Sequence, residues 1–153
     1  MTRRLLGALA IIGTLLLSGC GNDYGVDQYG QKVAAERLDK QWLVVNYWAE
    51  WCGPCRTEIP ELNALAEQLK GQSVGVFGVN FDNVQGEELK SASEKLGIKF
   101  TVLAQNPDGI FEIPRSEALP VTYIIDDKGK VREQLMGEQT AEGVLAKLKA
   151  LRG

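Results

Sequence analysis

Residues 42–60 read Trp42-Leu43-Val44-Val45-Asn46-Tyr47-Trp48-Ala49-Glu50-Trp51-Cys52-Gly53-Pro54-Cys55-Arg56-Thr57-Glu58-Ile59-Pro60. The first seven form a nearly continuous apolar run, the pattern of a central β-strand covered on both faces. Directly after it, two thiols stand one helical turn apart. Pro54 suits the first turn of a helix, and Ile59, Leu62, Leu65, Ala66 and Leu69 then recur at helical spacing until Gly71 can end it. Pro60 lies inside that helix and predicts a kink. Two residues between cysteines on a first helical turn bring their Cα atoms within disulfide reach. The helix N-terminus favours a thiolate at Cys52, by roughly 0.3–1 kcal/mol at an exposed site. Cys52 is therefore read as the attacking thiolate, and Cys55, one turn deeper, as the resolving thiol.

Two other uses of the pair fit less well. A zinc site needs further Cys or His ligands, and the chain has no histidine and only one other cysteine. A static disulfide closing so short a loop stabilises little, because the gain grows with loop length.

Outward from this stretch, Val74 to Asn80 reads as a second buried strand, parallel to the first through a right-handed crossover. Glu87 to Leu96 reads as a helix ended by Gly97, and Phe100 to Leu103 as a short strand. Val121 to Ile125 and Lys130 to Met136 flank Asp126-Asp127-Lys128-Gly129, a hairpin signal. Thr140 precedes an amphipathic helix carrying Val144, Leu145, Leu148 and Leu151. Gln31 to Lys40 fits a short helix or an irregular strand and turn equally. The sum is an α/β fold, a mixed central β-sheet with helices on both faces.

The third cysteine belongs to the N-terminus. Arg3 and Arg4 precede the apolar run Leu5 to Leu17, which is short for a bilayer span, and Leu17-Ser18-Gly19-Cys20 closes it with small residues. This resembles a bacterial lipoprotein signal and implies lipid attachment at Cys20. The division expected is a signal peptide at 1–19, a lipidated cysteine and polar tether at 20–30, and one folded domain at 31–153. Removing Arg3 and Arg4 takes the net charge from −3 to about −5, too acidic to attract nucleic acid or anionic headgroups by charge. Attachment rests on acyl chains, worth about 0.8 kcal/mol per buried methylene. The expected location is the extracytoplasmic face of a bacterial membrane, with Gly21 favouring an outer membrane where the cell has one.

The order of elements, the pentapeptide Trp51 to Cys55 and Leu119-Pro120-Val121-Thr122 before a strand together resemble the thioredoxin fold. Asn46 to Pro60 more specifically resembles the membrane-tethered TlpA/ResA-like thiol–disulfide oxidoreductases. The similarity runs from about residue 28 to the C-terminus. It implies catalytic roles for Cys52, Cys55, Glu58 and Pro120, the last as a cis-proline opposite the dithiol that leaves neighbouring backbone open to a substrate strand. It also implies a substrate groove at Trp51, Gly53, Pro54 and Leu119. No cofactor and no metal are implied. Cytoplasmic thioredoxins carry a buried aspartate six residues before the first cysteine; here Asn46, which cannot titrate, holds that place. Glu58 is expected to take over the proton relay to Cys55.

The Gly53-Pro54 dipeptide bears on direction. Thioredoxin, with this pair, sits near about −270 mV, and DsbA, with a histidine in its dipeptide, near about −120 mV, a gap of roughly 7 kcal/mol for two electrons. A chain without histidine is expected to be a reductant of disulfides in exported proteins. The resemblance implies a membrane thiol-electron donor of the DsbD/CcdA kind, because the extracytoplasmic compartment is oxidising, and favours apocytochrome c as substrate in cytochrome c maturation. The competing readings are a disulfide oxidase or isomerase and, from a different class, a metal-binding module on the same scaffold.

Overall fold

The computed structural model describes residues 21–153; the signal peptide expected at 1–19 and the lipid attachment expected at Cys20 lie outside the described residues. A 3₁₀ turn at Ala35–Arg37 precedes β1 (Trp42–Trp48), α1 (Gly53–Gln68), β2 (Val74–Asn80), α2 (Gly86–Lys95), β3 (Thr101–Leu103), α3 (Asp108–Phe111), β4 (Val121–Ile125), β5 (Val131–Met136) and α4 (Ala141–Arg152). The sheet order is β3-β2-β1-β4-β5. β1 pairs in parallel with β2 from Trp42 opposite Val74 to Trp48 opposite Asn80. On its other side β1 pairs antiparallel with β4, from Leu43 opposite Ile125 to Tyr47 opposite Val121. β1 is thus the central strand, and its apolar run is buried from Leu43 to Trp48.

Helices lie on both faces, unequally. β3, β2 and β1 step across the sheet in one direction, so right-handed crossovers put α1 and α2 on the same face. Ile59, Leu62 and Leu65 of α1, Leu89 and Ala92 of α2, and Val144 and Leu148 of α4 share one core cluster with Val44, Trp48, Val76 and Ile124 of the sheet. Each such side chain contributes roughly 1.5–3 kcal/mol by leaving water, and truncating a fully buried one such as Leu62 costs about 2–5 kcal/mol. α1 runs unbroken through Pro60. At α4, the Thr140 hydroxyl accepts the Gly143 N–H at 3.1 Å and caps the first turn.

The opposite face is covered by little regular structure. Tyr24, Val33, Leu38, Phe111 and Ile113 cluster there with Leu43, Val45, Phe77 and Tyr123. The stretch expected to be a tether is therefore corrected over residues 21–30. Tyr24 is 2% exposed, its ring stacks on Phe111 at 5.8 Å, and its hydroxyl donates to Asp39 Oδ1 at 2.7 Å. Gln28 is buried along the edge of β3: its N–H donates to Val102 O, its Oε1 accepts the Val102 N–H at 2.8 Å, and its Nε2 donates to Phe100 O. The physical reason is that three-residue β3 is an edge strand whose free N–H and C=O groups need partners. Glutamine supplies a donor and an acceptor there, so polarity in this segment reflects edge pairing rather than solvent exposure.

Candidate functional site

Cys52 is the N-cap of α1, with extended backbone, and its Sγ accepts the Cys55 N–H at 3.2 Å. The pair is oxidised, with the Cα atoms 5.3 Å apart, inside the range a disulfide requires. Cys55 is fully buried and Cys52 retains a sliver of surface, so an incoming sulfur meets Cys52 first. A helix N-terminus beside Cys52 stabilises negative charge on its sulfur once the bond opens.

The rim comes from three loops. Trp51 is 66% exposed, and its indole N–H donates to Asp82 Oδ2 at 2.8 Å, which holds the ring across the turn after β2. Glu50 pairs with Lys95 of α2 at 2.9 Å, and its carbonyl accepts from Arg56 Nη2 at 2.8 Å. Gly53 and Pro54 are exposed at the helix start. The Leu119–Pro120 peptide bond is cis. Because Tyr47 pairs with Val121, Pro120 lies level with Trp48, at the end of β1 that leads into the dithiol. Pro120 is buried and Leu119 half-buried.

Behind the disulfide lies a buried polar cluster. Glu58, 1% exposed, stands three residues after Cys55 and so on the same face of α1. Its Oε1 accepts from Asn46 Nδ2 at 2.6 Å and its Oε2 accepts the Gln139 N–H at 3.1 Å. Asn46 Nδ2 also donates to Thr122 Oγ1 at 3.0 Å. Burial raises the Glu58 pKa from the ordinary 4.5 to about 7; the bonds from Asn46 and Gln139 oppose that rise, and the negative charge of Glu138 adds to it. A carboxyl poised near neutrality beside a sealed thiol is suited to general acid–base work.

On the other face of the sheet, Tyr47 and Tyr123 meet edge to face with centroids 5.7 Å apart. The Tyr47 hydroxyl donates to Asn106 Oδ1 and that of Tyr123 to Pro114 O, both at 2.7 Å. They line a cavity of about 180 Å³ together with Phe81, Arg115 and Val121.

Residues 20–134 match the AhpC/TSA family. The chain belongs to the AhpC/TSA family. It is 31% identical over 125 residues to the thiol-disulfide oxidoreductase ResA of Bacillus thuringiensis (strain Al Hakam), an alignment that covers 82% of this chain and 72% of that protein. The crystal structure of a thioredoxin-family thiol:disulfide interchange protein from Chlorobium tepidum TLS superposes with a TM-score of 0.69 at 25% identity, covering 84% of this chain and 92% of that one. A DsbF homologue from Corynebacterium diphtheriae superposes at 0.68 with 20% identity, covering 82% of each chain. Within the family, this chain is a thiol–disulfide oxidoreductase of thioredoxin-like fold.

The sequence brought Cys52, Cys55 and Glu58 to one helix face. It did not bring in Thr122 or the Gln139 backbone. Thr122 had a signal: a hydroxyl in an otherwise apolar strand, opposite Asn46 once β1 and β4 pair antiparallel. Gln139 acts through its backbone N–H and leaves no trace in residue type.

Proposed function

We propose that this chain is a lipid-anchored, extracytoplasmic reductant of disulfides in exported proteins. The observation that carries the reading is the placement of Glu58, buried with a raised pKa one turn behind fully sealed Cys55. Reduction begins when the Cys52 thiolate attacks one sulfur of a substrate disulfide, forming a mixed disulfide and expelling the other substrate sulfur as a thiolate. Cys55 must then lose its proton where no water reaches it. The Glu58 carboxylate takes that proton, and the Cys55 thiolate attacks Cys52 Sγ. The enzyme disulfide forms, the second substrate sulfur leaves, and the proton passes on to a departing thiolate. Two electrons move from the dithiol to the substrate, which ends as two thiols once the first thiolate expelled takes up from solvent the proton that Cys52 released on ionising.

Direction is supported by the Gly53-Pro54 dipeptide and the absence of histidine from the chain. Access is supported by Trp51, 66% exposed next to Cys52, and by the cis Leu119–Pro120 bond level with Trp48 at the end of β1 that leads into the dithiol. The lipid anchor rests on the leader and Cys20 pattern. A membrane thiol-electron donor of the DsbD/CcdA kind would re-reduce the dithiol, and apocytochrome c, with its paired cysteines, is the favoured client.

The test is insulin reduction, and alkylation of the two thiols, followed across pH in wild type and Glu58→Gln. The rate of the resolving step should rise with pH around a midpoint near 7 in wild type, as Glu58 ionises, and the glutamine variant should lack that limb. Superimposable profiles would remove Glu58 from the proton path.

A further inference from the structure

Asn46 is fully buried, and its carboxamide is only half used. Nδ2 makes two bonds, to Glu58 Oε1 at 2.6 Å and Thr122 Oγ1 at 3.0 Å. Oδ1 has no partner. A buried carbonyl without a donor costs about 1–3 kcal/mol, and such a group in a packed core calls for an explanation.

The protonation chemistry of Glu58 supplies one. As a carboxylate, Glu58 accepts at both oxygens, and both have donors: Asn46 at Oε1 and the Gln139 N–H at Oε2. When Glu58 takes a proton, one oxygen becomes an O–H donor. Oε2 faces a backbone N–H, which can only donate and cannot turn round. The proton is therefore placed on Oε1, where it faces the N–H₂ of Asn46, donor against donor. A half-turn of the carboxamide about its last bond removes the conflict. Oδ1 then stands where Nδ2 stood and accepts from Glu58 Oε1–H. The Thr122 hydroxyl, which accepts in one state, rotates to donate to the same Oδ1 in the other, as only a hydroxyl can.

We infer that the Asn46 carboxamide is a two-position relay that turns over when Glu58 gains or loses its proton, and that it thereby positions the carboxyl for exchange with Cys55. The inference deepens the proposed role of Glu58 and rests on it for its link to turnover. Both states of the carboxyl are then hydrogen-bonded, while the carboxamide keeps one unpaired end in either position, Oδ1 before the half-turn and the N–H₂ after it. The arrival of the proton is also registered at Thr122, two residues from Pro120. An aspartate at position 46 would put a second charge beside Glu58; asparagine gives an adaptable partner without one.

Other titratable groups near Glu58 are Glu138, exposed in the β5–α4 loop, Glu61, exposed on α1 and bonded to the Ala141 N–H, and Cys55 when reduced. Asn46 on β1 and Thr122 on β4 carry no charge. The experiment uses the oxidised protein, where neither Cys52 nor Cys55 titrates. In ¹⁵N,¹³C-labelled protein, nuclear Overhauser contacts from the Asn46 side-chain amide protons to the Thr122 side chain are measured well below and well above pH 7. The contacts should be strong at high pH and weaken several-fold at low pH, with a midpoint that follows the Glu58 carboxyl carbon shift. Glu58→Gln places its own N–H₂ toward Asn46 and should show the low-pH pattern at every pH. Contacts that stay the same at both pH values in wild type would overturn the inference, as would a change that persists in Glu58→Gln. The measurement needs no turnover, so loss of the proton-relay reading would appear separately, in the pH–rate profile.

Discussion

Asn46 and Tyr47 are neighbours on β1 and point to opposite faces of the same sheet, where their polar atoms are satisfied to different degrees. On the Tyr47 face the buried tyrosine hydroxyls are matched: Tyr47 to Asn106 and Tyr123 to Pro114 O, both at 2.7 Å. On the Asn46 face a carboxyl is buried against its preference, a carbonyl oxygen lacks a donor among the described residues, and both lie behind fully buried Cys55. Fully matched polar groups specify a fold and stay put. Incompletely matched ones hold a charge or a proton at a cost, which is what a site of chemistry requires.

The sharpest way to test this contrast is to cut the chemistry on one face. Cys55→Ser should abolish multiple turnover and leave substrate trapped on Cys52, visible as a mixed disulfide on a non-reducing gel. Rapid turnover by the variant would place the resolving step elsewhere. Next, Glu58→Gln should slow the resolving step by about 10²-fold at neutral pH.

The same variant separates catalysis from stability. The Glu58 pKa is raised in the folded state, so between 4.5 and 7 the folded protein holds a proton that the unfolded chain has released. Stability therefore falls as pH rises through that window and is not regained above it. At about 1.4 kcal/mol per unit the loss is on the order of 3 kcal/mol. Glu58→Gln should remove this slope, so that denaturant unfolding finds the variant more stable than wild type above pH 7 and near parity at the acid end. A variant less stable at every pH would mean that the carboxylate is not strained by burial.

The smallest effect belongs to the matched face. Tyr47→Phe removes one hydrogen bond but leaves Asn106 Oδ1 accepting the Asp108 N–H at 3.1 Å, so it should cost about 1 kcal/mol in unfolding free energy. Its pH–rate profile should overlay wild type. A displaced profile would join the two faces that this comparison separates.

What the sequence made legible follows the same division between pattern and pairing. β1 and α1 announce themselves because the apolar run at 42–48 and the helical stripe through Leu65 report burial directly, and the cysteine spacing reports the chemistry. The hairpin reads from Asp126 to Gly129, whose turn is held by Asp126 Oδ1 accepting the N–H groups of Lys128 and Lys130. Residues 21–30 read as a tether because their burial is carried by single residues, Tyr24 and Gln28, without a period. α3 spans four residues, too few for a helical stripe. The contact between Asn46 and Glu58 follows from strand alternation and helix phase together, whereas the third and fourth partners require the β4 register and a backbone N–H.

Whether the dithiol works as a reductant is decided by the reduction potential of the Cys52–Cys55 couple. Protein beginning after Cys20 would be equilibrated in glutathione or dithiothreitol buffers and read by tryptophan fluorescence. A reductant should show a potential below about −220 mV, toward that of thioredoxin. A potential above about −160 mV would contradict that reading and make disulfide formation the function of this site.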